Sequence, residues 1–171
     1  GEDGADVRPG EVGEVRIRGD NVFRGYWGMP GKTAESFVDG WFRSGDLGFL
    51  DQEDGGRLYL VGRAKELIIT GGYNVYPKET ENVLDAHEAV KESAVVGLPD
   101  EEYGEKVIAV VVQKEGSAPV PPETLVAHCK RHLASYKCPR QVFIVPDLPR
   151  NAMGKIRKNR IVESLRDGKP L

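Results

Sequence analysis

The sequence predicts an α+β chain, in which a small β-rich N-terminal piece precedes a compact mixed domain with helices packed on a small sheet. Three observations predict it. Glu14–Arg18 alternates polar and apolar residues, the period of a half-buried strand, and short strand-like runs follow as far as Val61. Val107–Val112 is an unbroken apolar run, as in a strand covered on both faces. Leu125, Cys129 and Leu133, and later Ile161, Val162 and Leu165, recur at helical spacing. With 171 residues, of which 39% are hydrophobic, the chain can bury a core as one domain or two small ones.

Taken in order, Gly19 ends the first strand. Lys32–Val38 reads as one short helix closed by a turn at Asp39-Gly40. Trp41–Arg43 reads as a strand. Phe49–Asp51 and Arg57–Val61 read as two strands joined by the polar turn Gln52–Gly56. The pattern changes after Arg63, which divides the chain into 1–62, a linking stretch 63–66, and 67–171. Glu66–Thr70 is rich in branched aliphatics, as strands are. Gly71-Gly72 allows a backbone closed to other residues, or one that something approaches closely. Pro77 suits a first helical position, with Lys78–Ala86 following. Ala94–Val96 is a further strand, Pro99–Gly104 a break, Glu123–Leu133 an amphipathic helix, Gln141–Val145 a strand, Pro146–Gly154 a loop and Lys158–Arg166 a last helix.

A net charge of −3 argues against a general nucleic-acid binder. No apolar run reaches membrane-spanning length. The acidic, glycine-rich Gly1–Gly10 is unlike a signal peptide, and the missing initiator Met suggests a piece of something longer. Cys129 and Cys138 fit neither a CxxC pair nor a zinc site and read as reduced thiols of a cytoplasmic protein.

Four places carry chemistry-bearing residues. Asp46, flanked by glycines in Ser44–Gly48, reads as an exposed turn carboxylate that either stabilises its own turn or accepts hydrogen bonds from a vicinal diol. Arg63 is a cation near a hairpin end. The tail from Arg150 to Arg160 holds Arg150, Lys155, Arg157, Lys158 and Arg160 without an acid, so it is a solvated charge run, a nucleic-acid patch or an anion site. No interleaved aromatics support the nucleic-acid reading, and Gly154 beside Lys155 favours an ammonium brought close to a ligand. His128 and His132 stand four apart, as zinc ligands can, but without the glutamate of that motif, and so read as exposed helix residues. No metal site is expected.

The stretch Gly62–Glu81 resembles the hinge and following loop of acyl-CoA synthetases of the adenylate-forming superfamily. Trp41-Phe42 before Ser44-Gly45-Asp46-Leu47 and the Leu148–Lys155 ending are similar to two further motifs of that family. The wording of Asn21–Trp27, Ile69–Glu79 and Leu148–Lys155 is most like bacterial malonyl-CoA synthetases. The resemblance covers nearly the whole chain. It implies that Asp46 binds the ATP ribose, that Arg63 contacts ribose or phosphate, that Lys65 is the hinge, and that Gly71, Gly72 and Tyr73 line the path of CoA. It makes Lys155 the catalytic lysine of adenylation. Lys130, Arg131 and Lys137 read as helix-surface cations, with CoA phosphates as the alternative.

The same resemblance implies a carboxylic acid, ATP and CoA as substrates, Mg2+ held by residues upstream of this chain, and a partner in the missing N-terminal domain. Transfer to a carrier protein is the alternative acceptor. A lysine acetyltransferase and deacetylase acting on Lys155 are the implied regulators. The phosphate loop and acyl pocket of the family do not occur in this sequence, so the chain by itself is expected to be inactive.

Overall fold

The computed structural model describes residue 1 and residues 4–169. Glu2, Asp3, Pro170 and Leu171, which the sequence-read divisions include, lie outside the described residues. The chain forms two compact units, Gly1–Lys65 and Glu66–Leu171.

The first unit is a four-stranded antiparallel sheet built on one long strand. β1 (Gly13–Ile17) and β2 (Phe37–Val38) pair with β3 (Trp41–Asp51), which also pairs with β4 (Arg57–Arg63). A short helix, α1 (Pro30–Ser36), precedes β2 and starts on its proline, because a first-turn position has no hydrogen bond for the missing N–H to lose. The expected helix through Val38 ends at Ser36, because Phe37 and Val38 pair with β3 instead. Phe23, Tyr26, Phe37 and Phe42 meet edge-on or tilted, with centroids 5.1–5.6 Å apart. Among the described residues of this unit only Gly48 is buried. A Cβ there would stand 2.6 Å from the Tyr59 carbonyl, so the close approach of β4 demands glycine. Leu50, Leu58 and Leu60 stay exposed.

The second unit holds the core. β5 (Ile68–Thr70) and β6 (Tyr73–Val75) form a hairpin over Gly71-Gly72. The φ angles of +56° and +79° at those two residues meet the requirement of a two-residue hairpin turn. α2 (Pro77–Asp85) follows, again with proline in its first turn. β7 (Val90–Asp100) and β8 (Gly104–Gln113) make a long antiparallel ribbon. α3 (Pro122–His132) then leads to β9 (Gln141–Ile144), parallel to β8, and α4 (Lys158–Arg166) ends the unit. β6, a short and largely exposed strand, was not expected, and Ala94–Val96 proves to be the middle of the longer β7.

Strand periodicity sorts the core into two layers. Val107, Ala109 and Val111 of β8 pack with Leu84 of α2 and Leu125 and Cys129 of α3. Ile108, Val110 and Val112 face the other way, against Leu148 and Ile161 of α4. Val107–Val112 are at most 4% exposed, so β8 is covered on both faces as its apolar run predicts.

Asp85, at the end of α2, accepts a hydrogen bond from Ser93 Oγ at 2.7 Å. Burial pushes its carboxyl above the usual value of 3.8, and the Ser93 hydrogen bond opposes this only in part. The folded state thus holds the proton more tightly than the unfolded chain. The associated stability is present below 3.8 and is lost as pH rises through the folded value. Asp85→Asn keeps an acceptor for Ser93 and removes a negative charge from a helix C-terminus. At neutral pH it should stabilise by about 0.3–1 kcal/mol, a melting shift of roughly 1–4 °C. Thermal melts of both proteins at pH 7 and pH 3.5 check this, because the gain should vanish at the lower pH.

Candidate functional site

Asp46 does not lie on a turn. Gly45, at φ +72°, lets the chain pass through Ser44–Gly48 without leaving β3. Ser44 Oγ donates to the Val15 carbonyl at 2.8 Å and accepts from the Asp46 N–H at 3.0 Å, which ties the segment to β1. The β3–β4 register sets Asp46 opposite Arg63, and Arg63 Nε donates to Asp46 Oδ1 at 2.8 Å. The two candidates are one ion pair, half-buried at the carboxylate. Its Oδ2 and the terminal nitrogens of Arg63 have no further partner among the described residues. Lys65 sits exposed in a 3-10 turn, Ala64–Glu66, where the first unit ends.

Lys155 stands on a small closed loop of the second unit. Arg150 and Ile156 form an antiparallel bridge across its base. Asn151 Oδ1 accepts from the N–H groups of Met153 and Lys155, both at 2.9 Å. The Asn151 and Gly154 N–H groups close the backbone ring, donating to the Lys155 and Asn151 carbonyls at 2.9 Å. Gly154 supplies the required φ of +79°. Arg150 braces the loop by donating to the Gly154 carbonyl at 2.8 Å and pairing with Glu92. That loop is ordered by its own hydrogen bonds, while the Lys155 ammonium is exposed and has no ion pair among the described residues.

The cationic tail is less uniform than its composition suggests. Arg150 is held by Glu92, Lys158 by Glu66 and Glu81, and Arg160 by Glu163. Lys155 and Arg157 are the cations of this run left without a carboxylate among the described residues. Of the other cations considered for phosphate contact, Lys137 is taken by both oxygens of Glu79, at 2.7 and 2.8 Å. Lys130 and Arg131 lie in the last turn of α3, where cations offset the helix dipole.

Gly71 and Gly72 form the tip of the β5–β6 hairpin. A Cβ on Gly72 would meet nothing within 4 Å, so backbone conformation, not crowding within the unit, requires glycine there. Tyr73 next to them is exposed and stacks on Tyr136, with centroids 4.7 Å apart and planes at 24°. Tyr136 escaped the sequence reading because it lies far along the chain with no local pattern around it. His128 is not a free helix residue, since its Nε2 lies 3.0 Å from the Val83 carbonyl and its ring contacts those of His87 and His132. Burial holds its pKa below 6.5. Among the described residues no group of three or more His, Cys, Asp or Glu is placed to hold a metal ion. No helix described is long and apolar enough to cross a membrane.

Residues 79–155 match the family described as the AMP-binding enzyme C-terminal domain. The chain carries that domain. The chain as a whole is similar to the C-terminal portion of enzymes of the adenylate-forming superfamily. The chain is 45% identical over 159 residues to a 2-succinylbenzoate–CoA ligase of Geobacillus sp. strain WCH70, covering 93% of this chain and 32% of the relative. It is equally 45% identical over 159 residues to an indoleacetate–CoA ligase of Aromatoleum aromaticum, with 93% and 31% covered. Among solved structures it resembles o-succinylbenzoate CoA synthetase from Bacillus subtilis in complex with an acyl-adenylate intermediate. That likeness has a TM-score of 0.84 and 41% identity, covering 91% of this chain and 31% of that one. The chain thus spans about a third of the length of the relatives it matches. The family match ends on Lys155.

Proposed function

We propose that the protein to which this chain belongs is a carboxylate–CoA ligase that works through an acyl-adenylate. In the first step a carboxylate oxygen attacks the α-phosphorus of ATP, giving acyl-AMP and releasing pyrophosphate. In the second, the CoA sulfur attacks the acyl carbon, giving acyl-CoA and releasing AMP. The observation that supports this reading most is the Lys155 ammonium, which has no counter-charge among the described residues and stands on a loop held by its own hydrogen bonds. Such a cation is suited to the negative charge that builds between carboxylate and α-phosphate, and it costs little reorganisation when that charge appears.

The remaining candidates take roles consistent with their surroundings. Asp46, with one carboxylate oxygen held by Arg63, has its other oxygen for the ribose hydroxyls, and Arg63 is oriented by the same pair. Lys65 is the pivot between the two half-reactions. Gly71, Gly72 and Tyr73 border the path of the CoA arm. Mg2+ is assigned to residues of the upstream region.

Relatives acting on 2-succinylbenzoate and on indoleacetate are equally similar to this chain. This third of the protein therefore serves the steps common to unlike acids. The likeness in wording to malonyl-CoA synthetases supports malonate or a related short acid. The exposed Lys155 is also open to acylation by a lysine acetyltransferase, reversed by a deacetylase, which would remove the charge that adenylation needs.

The test is made on the full-length protein with ATP, Mg2+, CoA and a panel of short acids. AMP and acyl-CoA should form in equal amounts, with malonate among the best acids, and the present chain alone should form neither. Thioester synthesis by this chain alone would overturn the division of labour. Transfer to a carrier protein but not to CoA would replace the acceptor.

A further inference from the structure

The Lys158 ammonium, at the first residue of α4, lies 2.6 Å from Glu81 Oε1 and 3.0 Å from Glu66 Oε2. Glu81 projects from α2, is nearly buried, and also accepts the Val95 N–H of β7 at 2.9 Å. Glu66 directly follows Lys65. The three side chains therefore connect the segment next to Lys65, the α2–β7 layer and the start of α4.

The chain between Lys155 and Lys158 has two further anchors. Ile156 packs against the core layer beneath α4, and the Arg157 N–H donates to the Pro149 carbonyl at 2.7 Å. The Lys155 loop is thus continuous with a fixed base, and Lys158 is the point at which that base is tied to Glu66.

We propose that Lys158 is a positioning residue, which through Glu66 and Glu81 fastens the first residue beyond Lys65 to the base of the Lys155 loop. A displacement starting at Lys65 is then delivered to the Lys155 loop without slack, instead of being absorbed by loosening of residues 66–68. One ammonium against two carboxylates makes the arrangement asymmetric. Losing Glu66 leaves a balanced Lys158–Glu81 pair, whereas losing Lys158 leaves two carboxylates facing each other, one of them almost out of water.

The consequence for catalysis rests on the proposed ligase reading, but the mechanical claim does not. Hydrogen exchange of the full-length protein without substrates tests the latter with Lys158→Met, Lys158→Arg and Glu66→Gln. Amides in 64–68 and 155–158 should exchange about tenfold faster or more in Lys158→Met, and those in 64–68 also in Glu66→Gln, with the β7–β8 ribbon unchanged. Lys158→Arg should restore the slow rates. Unchanged exchange at 64–68 in both Lys158→Met and Glu66→Gln would overturn the proposal. So would acceleration spread evenly over the ribbon, which marks a merely structural loss.

In the catalytic arm, Lys158→Met should lower kcat for adenylation about tenfold with the KM for ATP unchanged, as loss of orientation does. A fall in affinity alone would overturn the positioning role. If the unsubstituted protein forms no adenylate at all, the ligase reading fails while the exchange result still decides the proposal.

Discussion

Lys155→Ala in the full-length protein should slow acyl-adenylate formation by about 10²–10³-fold, the usual effect of removing one preorganised charge-stabilising donor. Thioester formation from supplied acyl-AMP should keep its rate. The asymmetry follows from where charge develops. In the first step the α-phosphate gains a fifth ligand and its oxygens become more negative. In the second the CoA sulfur attacks the acyl carbon, so charge builds first on the acyl oxygen, and the phosphorus keeps four ligands while AMP departs with the electron pair of the broken acyl–oxygen bond. The loop survives the change, because its hydrogen bonds run through the Asn151 side chain and the backbone. Stopped-flow pyrophosphate release and single-turnover thioester assays separate the steps, and an equal loss of both would contradict the assigned role.

Lys65→Pro should give the opposite pattern. Proline fixes φ near −65° and disfavours helical geometry in the residue before it, here Ala64. If Lys65 is the pivot, adenylation stays within a few-fold of normal, while thioester formation falls on the order of tenfold or more. Lys65→Ala, which leaves the backbone free, should do neither. Unimpaired use of supplied acyl-AMP by Lys65→Pro would remove the pivot from this position.

Much of the second unit is legible in its sequence because its core is ordered by simple periods. The run Val107–Val112 has no polar interruption, and a strand with helices on both sides needs none. Leu125 and Cys129, four apart, put one face of α3 inward. The first unit is harder to read, because burial hardly orders it. Ser44–Gly48 carries two glycines and an acid, the composition of a turn, yet it continues β3. A positive φ at Gly45 and the tight approach of β4 at Gly48 use the glycines for other ends. That Asp46 and Arg63 would form one pair depends on a hairpin register, which no local pattern encodes. The links from Lys158 to Glu66 and Glu81 join residues distant along the chain, and only the folded sheet brings them together. Lys155 was legible as part of a motif, but its lack of an acid among the described residues was not, since Arg150 and Lys158 of the same run are neutralised by acids from other elements.

The β7–β8 ribbon has a consequence for how the second unit assembles. Its strands are joined by three residues, so their ladder closes over a short loop at small entropic cost. β9 pairs in parallel and must wait until α3 has carried the chain across the sheet. Connectivity thus favours an order in which the ribbon zips first, the helices then find a surface to condense on, and the parallel strand docks last, bringing with it the tail that bears Lys155.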